Sequence, residues 1–140
     1  MGVVIRYMLD SSFCIDVMRD RTPALRERFK VEAGTMALST IALHELLYGA
    51  ANVENSQRAR QKVDEFAGRL AVVEFGEQAA NHAGDIRATL RRAGQMIGSY
   101  DLLIAAHARS LGLVVVTGNV REFERVPGLR CENWLMEANS

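Results

Sequence analysis

Asp10, Glu45, Asp101, Thr117 and Asn119 lie far apart in the chain, yet each stands where an apolar run ends or a helix begins. A carboxylate at such a place is usually a helix cap, accepting a backbone N–H of the first turn, and Asp101 in front of its apolar helix reads first in that way. Several carboxylates gathered in one crevice behave differently, because they repel one another and either take up protons or recruit a cation. Oxygen donors alone select a hard ion, magnesium first and manganese as its competitor. Such an ion polarises a phosphoryl oxygen, activates a bound water and stabilises the leaving oxygen, which is the chemistry of phosphodiester hydrolysis. Arg121, on the turn beside Asn119, is the candidate phosphate contact, since its fork matches two phosphate oxygens at once.

The elements that must position these groups alternate along the chain. Val3–Leu9 is nearly continuous in its apolar character, as in a strand covered on both faces, and Asp10 falls at its carboxyl end. Ser11 or Ser12 is expected to cap a short helix to about Arg19, and Pro23 opens another that Gly34 ends. A strand over Met36–Ser39 leads into a helix over Thr40–Tyr48 that Gly49 should terminate, with Glu45 on the same face as Ile41. An amphipathic helix follows over Glu54–Arg69, then a strand over Leu70–Phe75 and a long helix over Glu77–Ala93 stopped by Gly94. Asp101 then opens a helix ending at Gly112, Leu113–Thr117 forms a strand, and Leu129–Trp134 is expected as an edge strand before a polar tail. This alternation predicts a three-layer α/β fold with a largely parallel central sheet flanked by helices. Ligands of such sheets bind beyond the carboxyl ends of the strands, the edge at which all five residues fall.

At 140 residues, with no repeat, linker or low-complexity segment, the chain is expected to form a single domain over 1–140. The apolar start is too short for a membrane span and lacks the features of a signal peptide, and Cys14 and Cys131 have no metal-ligand spacing. A cytoplasmic protein with reduced cysteines and no membrane contact is expected. The formal net charge of zero argues against a general polyanion binder, although 15 of the 17 basic residues are arginine and suit local phosphate recognition.

Four ordered segments carry a more specific signal: Met8-Leu9-Asp10-Ser11-Ser12, Leu43-His44-Glu45-Leu46-Leu47-Tyr48-Gly49, Gly98-Ser99-Tyr100-Asp101-Leu102-Leu103-Ile104-Ala105 and Val116-Thr117-Gly118-Asn119-Val120-Arg121-Glu122-Phe123. Together they resemble the motifs of PIN-domain ribonucleases, and more narrowly the VapC toxins of bacterial toxin–antitoxin pairs, over nearly the whole chain. The resemblance implies a magnesium-dependent endoribonuclease, with transfer RNA as the leading substrate class, in which Asp10, Glu45 and Asp101 hold the acidic positions. Asp10 and Asp101 would be the direct metal ligands; Glu45 would bind metal or its water, or take a proton from the nucleophile. Thr117 and Asn119 would orient ligands or waters. A VapB-like antitoxin whose tail covers the site, and a homodimer, are the implied partners. Two departures stand out. The family usually reads Asp-Thr-Asn where this chain has Asp10-Ser11-Ser12, so Ser12 must replace an amide side chain in orienting the first carboxylate, and Asn119 stands where many PIN domains carry a fourth Asp.

The remaining candidates read as structural. His44, His82 and His107 lack zinc spacing, Asp85 reads as solvated, and Glu122, which follows the Asn119 turn and is within reach of the crevice, reads first as a surface partner of Arg121 or Arg125. Arg87, Arg91 and Arg92 form either an RNA-facing stripe or a solvated helix face. The helix over Glu54–Leu70 and its neighbour before Gly34 frame a groove for a partner helix. A phospho-accepting signalling domain would need a second acid beside Asp10 and a strand-end lysine, whereas the only lysines are Lys30 and Lys62 in helices. An Asp-x-Asp phosphatase fails because position 12 is Ser. A PIN-like module that binds RNA or a partner without cutting is the alternative reading.

Overall fold

The computed structural model describes residues 4–19 and 22–135. Five strands form one sheet: β1 (Tyr7–Leu9), β2 (Met36–Ser39), β3 (Ala71–Val73), β4 (Val114–Val116) and β5 (Cys131–Glu132). Every neighbouring pair is parallel, in the order β3-β2-β1-β4-β5. The intervening helices are α1 (Ser11–Arg19), α2 (Pro23–Val31), α3 (Thr40–Ala51), α4 (Ser56–Ala67), α5 (Glu77–Ala93), α6 (Ser99–Leu111) and the single turn α7 (Val120–Phe123). All four residues of β2 and all three of β4 are buried, in keeping with the apolar Met36–Leu38 and Val114–Val116, whereas β3 and β5 at the sheet edges are only partly covered.

The chain builds outward from β1 through β2 to β3, then returns to place β4 on the other side of β1. The strand order therefore reverses between β1 and β4, and a crevice opens there because the connections leave in opposite directions. The register pairs Leu9 with Val116, and the Asp10 N–H donates to the Val116 carbonyl at 3.1 Å. Asp10 and Thr117, separated by more than a hundred residues, thus emerge side by side.

Several boundaries differ from the sequence expectation. The first strand is confined to Tyr7–Leu9, and Val3 lies outside the described residues, as does the polar tail after Leu135. Gly49 does not end α3: the helix runs to Ala51, and the Asn52 N–H is bonded to the carbonyls of Tyr48 and Gly49. Gly94 and Gly112 do stop α5 and α6, in the left-handed conformation that glycine adopts without a Cβ clash. The expected edge strand over Leu129–Trp134 shrinks to two residues, because the Trp134 ring turns inward to 1% exposure and packs edge-on against Tyr7 and Phe13. Arg28 covers its other side at 4.4 Å from the ring centroid.

Candidate active site

Asp10 leaves β1 at 3% exposure and becomes the cap of α1. Its Oδ1 accepts the Phe13 N–H at 2.8 Å, and its backbone carbonyl accepts the Cys14 N–H at 3.1 Å. The cap expected of Ser11 or Ser12 therefore belongs to the carboxylate before them. Asp10 Oδ2 accepts the Thr117 hydroxyl at 2.5 Å, and Thr117 Oγ1 in turn accepts the Asn119 N–H at 2.9 Å. The Asp10 carboxyl is nonetheless pushed up to about 6, because burial outweighs these two hydrogen bonds and the charges of Glu45 and Asp16 add to it.

Ser11 does other work. Its hydroxyl, buried at the start of α1, donates to Glu45 Oε1 on α3 at 3.1 Å and spans the gap between two acidic positions. Ser12, expected to orient the first carboxylate, is exposed, and its side chain makes no hydrogen bond among the described residues. One residue along a helix rotates a side chain by roughly 100°, which turns Ser12 to solvent when Ser11 faces the crevice.

Asp101 sits in the first turn of α6 but does not cap it; the cap position is Gly98, and no side chain completes it. The head of α6 is served from another element: Glu122 Oε1 accepts the Gly98 N–H at 2.7 Å, while its Oε2 accepts the Asn119 side-chain amide at 2.5 Å. Glu122 is thus no surface partner of Arg121 or Arg125. It is a fourth carboxylate in the crevice, hydrogen-bonded to Asp101. A Cβ at Gly98 would lie 3.3 Å from Asp101 Oδ2 and 3.4 Å from Glu122 Oε1, so the bare glycine is what lets the two carboxyls close over the helix end. The Asp101 carboxyl is pushed up to about 7 by burial first, then by its bond to Glu122 and by the charges of Glu122, Asp10 and Glu45.

Asp10, Glu45, Asp101 and Glu122 consequently act on one another, and none of the ion pairs of the described residues involves them. Oxygen donors whose mutual repulsion no ion pair of the described residues offsets have the chemistry that a hard divalent ion answers. Among the described residues, no three His, Cys, Asp or Glu side chains already stand as a formed coordination shell. Glu45 is drawn towards Ser11 and Asp101 towards Glu122.

Beside the crevice, Gly118, Asn119, Val120, Arg121, Cys131 and Asn133 line an open depression of about 450 Å³, with Arg121 exposed at its edge. Arg87, Arg91 and Arg92 stand exposed on α5. His82 and His107 are structural: His82 Nδ1 accepts from Arg109, and His107 Nδ1 shares a 2.8 Å hydrogen bond with Ser39. Asp85 is not simply solvated, because Arg109 binds it at 2.7 Å while also holding the Pro127 carbonyl. His44 is not a core residue; it is exposed on α3 against Tyr100. A separate cleft of about 440 Å³ runs between α1, α2 and α4, floored by Leu25, Phe29 and Phe66 and rimmed by Lys30, Lys62 and Arg69. Among the described residues no helix is long and apolar enough to cross a membrane.

Residues 7–129 match the PIN domain family. The tRNA(fMet)-specific endonuclease VapC of Salmonella typhimurium is 46% identical over 131 residues, covering 94% of this chain and 99% of that protein. The tRNA(fMet)-specific endonuclease VapC of Shigella flexneri is 43% identical over the same length and coverage. Among solved structures, DNA-bound VapBC from Salmonella typhimurium superposes with a TM-score of 0.91 at 46% identity, covering 94% of this chain and 99% of that one. VapBC-1 from nontypeable Haemophilus influenzae gives 0.86 at 33% identity, over 94% and 99%.

Proposed function

Because the chain belongs to the PIN-domain family, among relatives named as VapC ribonucleases, we propose that it is a metal-dependent endoribonuclease toxin that cuts transfer RNA and is neutralised by a VapB-like antitoxin. The observation that carries the reading is the meeting of Asp10, Glu45 and Asp101 at the β1/β4 switch point, with the carboxyls of Asp10 and Asp101 raised by burial first and then by the charges of neighbouring carboxylates, Glu45 among them for both. The naming of its relatives for tRNA(fMet) makes initiator transfer RNA the first substrate to try. Transfer RNA as substrate places the action in the cytoplasm.

Asp10 and Asp101 are the proposed direct metal ligands, with Glu45 binding metal or its water, or accepting the proton of the nucleophile. Magnesium, or manganese, would supply Lewis-acid polarisation of the scissile phosphoryl oxygen and a more acidic bound water. The chain itself does the positioning. Thr117 fixes the second oxygen of Asp10, Ser11 fixes one oxygen of Glu45 and leaves the other free to act, and the Asn119–Glu122 pair holds the head of α6. Arg121, on the neighbouring turn, binds a phosphate of the RNA.

The antitoxin reading rests on the cleft between α1, α2 and α4, whose aromatic floor and basic rim suit an amphipathic acidic segment, and on the likeness to VapBC structures. A homodimer is proposed with it, and sedimentation of the purified chain reads that state directly. The decisive assay incubates the protein with total transfer RNA in magnesium, in manganese and in EDTA, beside Asp101→Asn. Cleavage in either metal, abolished by chelation and by the substitution, is expected. Equal cleavage in every arm would refute the metal–carboxylate mechanism, and none in any arm would leave an RNA- or partner-binding module.

A further inference from the structure

His44 and Tyr100 are the sequence neighbours of Glu45 and Asp101, and among the described residues no side-chain hydrogen bond, ion pair or apolar core accounts for either ring. Both side chains are exposed, Tyr100 at 48%. They come from different helices, α3 and α6, and meet edge-on with ring centroids 5.2 Å apart and planes at 61°. An edge-on pair leaves the face of one ring uncovered for a third aromatic system. The contact lies where α3 and α6 bring their carboxylates together, so anything lying on these rings also lies at the mouth of the acidic crevice.

Resting on the ribonuclease reading above, we propose that Tyr100 and His44 form a stacking platform for an unpaired nucleobase of the RNA that enters the crevice. Two considerations favour a base over other occupants. A ring face binds any base without reading its edges, and single-stranded RNA offers the splayed bases that such platforms take. The phosphates of that strand would be repelled by four neighbouring carboxylates until a cation offsets them, so a contact without charge suits this rim and complements the phosphate contact proposed for Arg121. The platform is a binding element; neither ring is assigned a proton transfer.

The test separates base from backbone. Binding of a fluorescein-labelled oligouridylate octamer is compared with that of an abasic octamer of equal charge, by anisotropy, with calcium in place of magnesium. Wild type is expected to prefer the base-bearing octamer by about tenfold. Tyr100→Ala should abolish most of that preference and His44→Ala part of it, with thermal midpoints unchanged, while Tyr100→Phe and Tyr100→Trp retain it. Absence of any preference in wild type, an undiminished preference in Tyr100→Ala, or equal weakening toward both octamers would overturn the proposal. So would a change of sedimentation in Tyr100→Ala with the base preference intact, which would make the ring pair an interface between copies. Cleavage of initiator transfer RNA in magnesium is scored separately. A wild type that shows the base preference but cuts nothing refutes the ribonuclease reading and not the platform.

Discussion

Asp101→Asn should make the metal-free protein more stable, although it removes a proposed metal ligand. The Asp101 carboxyl rises from 3.8 to about 7 on folding, so the folded state holds this group's proton more tightly than the unfolded chain does. Stability associated with the group is fully present below about pH 4 and is lost as the pH climbs to about 7. At about 1.4 kcal/mol per unit, the whole shift corresponds to roughly 4 kcal/mol above pH 7. Asp101 is partly exposed and shares its charge with Glu122, so about half of that, roughly 2 kcal/mol, is the expected penalty of the ionised state. Asparagine has nearly the same shape, carries no charge and donates where Glu122 accepts. Urea denaturation in EDTA at pH 8 should therefore show Asp101→Asn more stable by about 2 kcal/mol, a rise in thermal midpoint of roughly 6 °C for a chain of this size. At pH 5 the gain should be less than half as large, because the folded wild type is by then protonated at this position. A substitution that destabilises at pH 8, or one whose gain is the same at both pH values, would show that the crevice does not store this charge repulsion.

Magnesium should raise the thermal midpoint of wild type above that of its EDTA form and leave Asp101→Asn nearly unmoved, as a metal that binds only the folded site requires. Ser11→Ala should lower cleavage several-fold by releasing Glu45, with about 1 kcal/mol lost in denaturation; Ser12→Ala should match wild type in both, and the reverse pattern would return the orienting role to Ser12. Thr117→Val leaves Asp10 Oδ2 and the Asn119 N–H without their partner at a fully buried position, and about 2 kcal/mol of stability should go with most of the activity. Thr117→Ser should restore both.

The sequence by itself determined the architecture and singled out the acidic trio. Continuous apolar runs alternating with amphipathic ones require a covered parallel sheet, and the carboxyl edge of such a sheet is where Asp10, Thr117 and Asn119 have to fall. The turn glycines at 34, 94 and 112 were legible too, because a left-handed backbone after a helix is a local demand. The tertiary structure alone decided which carboxylate caps which helix, that Ser11 and not Ser12 reaches Glu45, and that Glu122 joins the crevice while His44 meets Tyr100. The pairings of Gly98 with Glu122, Ser11 with Glu45 and His44 with Tyr100 link residues 24 to 56 positions apart, and the choice of Ser11 over Ser12 depends on the rotation of a single helical step. Hydrophobic periodicity records which face of an element is buried; it carries no information about which element that face will meet. The β1–β4 register and the mutual rotation of α3, α6 and α7 supplied that information, and with it the difference between the cap expected at Asp101 and a carboxyl pushed up to about 7 beside three others.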